Sequence, residues 1–139
     1  MNVARLRDLE KEIIRIFGDD PACEIALKIL HALQNVPLRN ASRLTLSYFC
    51  KITNADKIDN DLMRVLAILS GSNLHILNSR FVYYDEYDKP YDISPEEFAE
   101  ATRDGFLINK DTGEPDETFS ARTYPYFQLS AFISNNEVL

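Results

Sequence analysis

The sequence predicts an α+β fold: a mostly helical N-terminal half, then a β-hairpin wing, one more helix and short strands. Apolar residues recur at helical spacing through the first half of the chain. After Gly71 the period shortens, and runs rich in Val and Tyr alternate with turn residues. With 139 residues, 45% hydrophobic content, eight Phe and seven Tyr, the chain fits one domain with a packed core.

The first helix is expected over residues 2–17. Val3, Leu6, Leu9, Ile13, Ile16 and Phe17 mark its apolar side and Gly18 its stop. Asp20-Pro21 restarts a helix, with Asp as N-cap and Pro in the first position. Ile25, Ala26, Ile29, Leu30 and Leu33 carry it to about residue 34, where Asn35-Val36-Pro37 ends it. Residues 42–50 fit a third, shorter helix, although Leu44, Leu46, Tyr48 and Phe49 partly alternate like a strand. After a turn at residues 53–56, Asp59 or Asn60 caps a fourth helix over residues 59–70. Leu62, Val65, Leu66 and Leu69 form its inner face, with Met63 and Ile68 apolar elsewhere.

Residues 74–77 then read as a strand, Asn78-Ser79 as a turn, and residues 80–86 as a second strand. Asp88-Lys89-Pro90 is a further turn. Ser94-Pro95-Glu96-Glu97 is a helix start in which Ser caps, Pro takes the first position and Glu97 completes a capping box. That helix carries Phe98 and Ala101 inward and stops at Asp104-Gly105. Phe106-Leu107-Ile108 reads as a short strand, Asp111-Thr112-Gly113 as a hairpin turn, and residues 124–129 as a last extended segment. Phe132 and Ile133 fall in a tail expected to fray.

Charge is unevenly spread along the chain. The net charge is −7, but residues 28–80 hold seven basic and three acidic side chains, and residues 81–139 hold four and thirteen. Acidity disfavours non-specific binding to nucleic acid, while the basic middle leaves room for a local contact. Seven charged side chains interrupt residues 1–17, which argues against a signal peptide there. No apolar run is long enough to span a bilayer, so no membrane is expected. Two cysteines, Cys23 and Cys50, make no disulfide framework and read as small buried hydrophobes in a reducing compartment, the cytoplasm.

Helix, short helix, turn, longer helix and two-stranded hairpin, in this order from residue 20 to residue 86, resemble a winged-helix (winged helix-turn-helix) domain. The likeness rests on element order and on no sequence motif. With no repeat or linker visible, the chain reads as one domain over residues 1–139, with a winged-helix-like core at about 20–86 and an acidic C-terminal extension at 87–139. The resemblance makes residues 59–70 the recognition helix and residues 74–86 the wing. Many proteins of that fold bind DNA, but Asp59 and Asp61 at the start of this recognition helix would oppose phosphate. Arg39, Arg43, Lys51, Lys57, Arg64 and Arg80 are the candidates for nucleic-acid contact.

Chemistry is harder to find. His31 and His75 stand without metal-ligand spacing, and no phosphate-binding glycine loop occurs. The most distinctive segment is residues 83–92, where tyrosines alternate with carboxylates and lysine. It lacks the pattern of a calcium loop. The expectation is therefore no enzyme, no cofactor and no metal. The sequence suggests a non-catalytic interaction module: an adaptor, accessory subunit or inhibitor in a larger intracellular complex. Met63, Ile68, Tyr83, Tyr84, Asp85, Tyr87 and Tyr91 are its candidate contacts with a protein partner, which a basic surface would suit. A homodimer is compatible with this. The alternative is a DNA-binding transcriptional regulator of winged-helix type.

Overall fold

The structure is a computed structural model that describes residues 3–71 and 74–130, with the backbone alone at residue 38. The expected tail at Phe132 and Ile133 lies outside the described residues. Among the described residues there are five α-helices: α1 (Val3–Phe17), α2 (Ala22–Leu33), α3 (Leu46–Thr53), α4 (Asn60–Leu69) and α5 (Pro95–Asp104). Six strands accompany them: β1 (Leu44–Thr45), β2 (Leu77–Tyr84), β3 (Pro90–Ile93), β4 (Leu107–Ile108), β5 (Pro115–Asp116) and β6 (Thr123–Leu129). One sheet has the strand order β1-β6-β2-β3, and β4 pairs with β5 separately. The fold class is α+β with a helical N-terminal half, as the periodicity predicts.

The chain forms two compact units. One takes in the chain up to Asn78 and again from Phe127; the other is Ser79–Tyr126.

The larger unit is built on α1 to α4. Gly18 ends α1 in the left-handed region at φ 57°, where its N–H donates to the carbonyl of Ile14 at 2.8 Å. The Asp20 carboxylate accepts from the Ala22 N–H at 2.9 Å, so Asp20 caps α2 although the helix starts one residue after Pro21. Asp59 caps α4 the same way, accepting from Leu62 N–H at 2.8 Å. The third helix starts four residues later than the expected Ser42. Thr45 provides the cap, accepting from Tyr48 N–H at 3.2 Å, and Leu44-Thr45 before the helix is the short strand β1. The core gathers Ile13, Ile29, Leu30, Leu33, Phe49, Leu62, Leu66 and Leu69 with Ile76, Leu77 and Phe127. Phe49 is fully buried and meets the rings of Tyr48 and Phe127 edge-on at 5.2 and 5.6 Å.

In the Ser79–Tyr126 unit, β2 and β3 form an antiparallel hairpin with Phe81 opposite Ile93 and Tyr84 opposite Pro90. This corrects the expected wing. Asn78-Ser79 lies inside β2 rather than at a turn, residues 74–76 precede the strand, and the hairpin turns at residues 85–89. Ser94 and Glu97 form the full capping box that opens α5, and Gly105 closes it at φ 87°. Phe98 stacks on Phe81 at 4.3 Å and meets Phe119 edge-on at 5.9 Å. With Tyr83, Ile93 and Ala101 these rings make a second small core.

Candidate interaction site

The hairpin turn of β2 and β3 is held by a carboxylate. Asp85 is only 5% exposed. Its Oδ1 accepts from the backbone N–H of Tyr87 at 2.8 Å and of Lys89 at 2.9 Å. The Asp85 N–H donates to the Lys89 carbonyl at 3.0 Å. Asp85 is thus the turn-former, a role Asp takes because its short side chain reaches its own backbone. The bond from Lys89 N–H does most to hold its carboxyl below the ordinary range. Burial opposes that, and bonds from Tyr87 N–H, the Asn109 side chain and Tyr91 add to it.

A second turn, between β4 and β5, is built on Asn109, which is 9% exposed. Its Oδ1 accepts from the N–H groups of Asp111 (2.9 Å) and Thr112 (3.3 Å). Gly113 takes φ 74°, and its N–H donates to the Asn109 carbonyl at 2.7 Å. The Asn109 side chain also reaches Asp85, which ties the two turns together. Asp111 adds a second tie. Its Oδ2 accepts from Tyr91 Oη at 2.6 Å and from Lys89 Nζ. Lys89 and then Tyr91 hold the Asp111 carboxyl below its ordinary value, while the bond to Asp111 raises Lys89 and Tyr91.

The third tie is Tyr83, 3% exposed, whose Oη donates to Asp116 Oδ2 at 2.6 Å. Arg122 and Thr118 also donate to Asp116, at 3.1 and 2.9 Å. Burial, then the bond to Asp116, push the Tyr83 phenol up to about 12. For Asp116, burial alone would raise the carboxyl; the Tyr83 and Thr118 bonds and the Arg122 charge outweigh it and leave it lowered. Beside this tie lies an open cleft of about 270 Å³ edged by Glu86, Glu114, Asp116 and Glu117 with Arg122.

The expected contact residues therefore separate. Tyr83 and Asp85 are buried, Tyr83 tied to Asp116 and Asp85 holding the hairpin turn. Tyr91 is half-buried on the same face as Tyr83, ring centroids 6.0 Å apart. Tyr84 is half-buried and meets Tyr124 at 6.0 Å. Tyr87 at the turn is 78% exposed. In the larger unit Met63 is exposed, whereas Ile68 packs partly buried against the core.

The basic candidates separate as well. Arg39, Arg43, Lys51 and Lys57 are exposed in the larger unit, and Arg80 is half-buried in the other. Arg64 turns to carboxylates: it donates to Asp20 at 2.7 and 3.0 Å and to Asp61 at 3.2 Å. That bidentate grip occupies the fork a base or phosphate would need.

Cys23 and Cys50 are free thiols, half-buried against the larger core. His31 Nε2 lies 3.6 Å from Glu10, and His75 is exposed with φ 48°. Among the described residues no group of three or more His, Cys, Asp or Glu could hold a metal ion, and no described helix is long and apolar enough to cross a membrane.

Asn109, Asp111, Asp116, Thr118 and Arg122 were not expected at the site. Their one sequence signal was the turn at Asp111-Thr112-Gly113 with an Asn two residues before it. Comparison with family models, curated proteins and solved structures finds no match to this chain.

Proposed function

We propose that this chain is a non-catalytic protein-interaction module, an adaptor, accessory subunit or inhibitor, that docks a basic partner protein through its Ser79–Tyr126 unit. The observation that carries this reading is where the charge sits. This unit holds 12 acidic and 5 basic side chains, and the rest of the chain holds ten of each. The net charge of −7 is therefore the charge of the hairpin unit. Asp85, Asp111 and Asp116 are spent inside it on turns and ties. Glu86, Asp88, Asp92, Glu96, Glu100, Asp104, Glu114 and Glu117 are exposed. Such a surface steers basic partners and repels nucleic acid.

A second reading, a DNA-binding regulator of winged-helix type, draws on the exposed Lys51 and Lys57 and on the element order of α2, α3, α4 and a following hairpin. Against it stand the engaged Arg64 and the two aspartates, Asp59 and Asp61, at the start of α4.

Anisotropy titrations of the whole chain separate the two, with a labelled oligo-lysine peptide in one series and a labelled DNA duplex in the other. The interaction reading expects the peptide to bind and weaken with salt, and the duplex not to bind at low salt. Duplex binding that is lost in a Lys51→Ala, Lys57→Ala variant overturns it in favour of the regulator. No binding of the peptide at low salt overturns it outright.

A further inference from the structure

The hairpin unit carries an apolar shelf beside an acidic stripe. Phe106 and Ile108 flank Leu107 at the start of β4. Leu107 packs against the small core, while Phe106 is 38% and Ile108 46% exposed. Both line the same cavity beside α5. Along α5, Glu97, Glu100 and Asp104 recur at i, i+3 and i+7, the spacing of one helix edge. These two rows line a single open groove of about 270 Å³ that also reaches Ala101 and Lys110.

Lys110 on the rim and Arg103 elsewhere on α5 hold its carboxylates loosely. Lys110 Nζ lies 3.3 Å from Glu97, and Arg103 lies 4.0 Å from Glu100 and 3.7 Å from Asp104. Pairs this exposed are worth little and exchange readily for a partner's cations. A floor of large apolar side chains in an acidic rim calls for apolar anchors flanked by positive charge. A second copy of this chain is a poor occupant, because the unit that brings the groove also brings seven surplus negative charges.

Resting on the interaction reading above, we propose that the groove between α5 and β4 docks a short extended segment of a partner protein, with apolar side chains two apart between lysines or arginines. The apolar pair matches Phe106 and Ile108, and the flanking cations meet Glu100 and Asp104.

Two labelled peptides test this on the whole chain: Lys-Lys-Leu-Thr-Leu-Lys-Lys, and the same peptide with serine in place of both leucines. The leucine peptide is expected to bind roughly tenfold tighter, the scale of one buried leucine. Phe106→Ser and Ile108→Ser remove that gap and leave the serine peptide's affinity unchanged. Their exposed positions keep the fold intact, which a thermal melt checks. Equal affinity for both peptides overturns the groove while the acidic surface still docks charge. Binding of neither overturns the groove and the interaction reading together. A concentration-dependent dimer in ultracentrifugation that Ile108→Ser abolishes assigns the groove to a second copy and also overturns the proposal.

Discussion

Tyr83 Oη donates a 2.6 Å hydrogen bond to Asp116 Oδ2, joining side chains 33 positions apart on β2 and β5. Tyr83→Phe deletes the donor and keeps the ring. Asp116 retains Thr118 and Arg122, so the loss is about 1–2 kcal/mol in denaturant unfolding. The substitution also changes the alkaline limb of stability. A phenol near 12 in the fold, against 10.0 for the ordinary group, keeps its proton where the unfolded chain has lost it. The folded state then binds more protons, so stability is complete below about pH 10 and falls as pH rises from there toward about 12. Absorbance titration of the seven tyrosines shows one ionising last, and Tyr83→Phe removes it.

The acidic limb has the opposite origin. Asp85, Asp111 and Asp116 all lie below their ordinary value of 3.8 in the fold. As pH falls through that value the unfolded chain takes up protons first, so stability present above it is lost as the folded carboxylates protonate. Thermal melts drop steeply below about pH 4. Asp116→Asn makes that drop shallower, because one of the lowered carboxylates no longer titrates.

Asn109→Ala breaks the support of the second turn. It strips acceptors from Asp111 N–H and Thr112 N–H and a donor from Asp85. With Asn109 itself buried, the cost is about 1–3 kcal/mol, read from urea unfolding. Amide hydrogen exchange at Asp111 and Thr112 accelerates, and that at Ile29 and Leu30, in the other core, does not.

Phe49→Ala empties the centre of the larger core, where the ring touches Tyr48 and Phe127. The expected loss is about 3–5 kcal/mol. Phe49→Leu, which keeps most of the volume, loses less in the same unfolding measurement.

The helices were legible because their ends are written in local chemistry. Gly18, Asp20, Asp59, Ser94 and Gly105 each act within a turn of their own position, and each does in the structure what its residue type suggests. The hairpin was misplaced for the same reason. Asn78-Ser79 has the composition of a turn, yet strand pairing overrides it, and the turn forms at residues 85–89 where Asp85 can accept two backbone N–H groups. The ties from Tyr83 to Asp116 and from Tyr91 to Asp111 span 33 and 20 residues, beyond the reach of any local pattern. So the tyrosine-rich segment stood out in the sequence, but its roles as anchor and turn-former did not.

The division of labour among the carboxylates of the hairpin unit leaves two kinds of position. Asp85, Asp111 and Asp116 answer to the architecture: each is committed to named donors, and exchanging one disturbs a turn. Glu86, Asp88, Glu114 and Glu117 answer only to solvent and to whatever approaches it. Substitutions in the second set therefore change the sign and placement of surface charge at little cost to the fold, while each substitution in the first set takes a bond away from a turn or a tie.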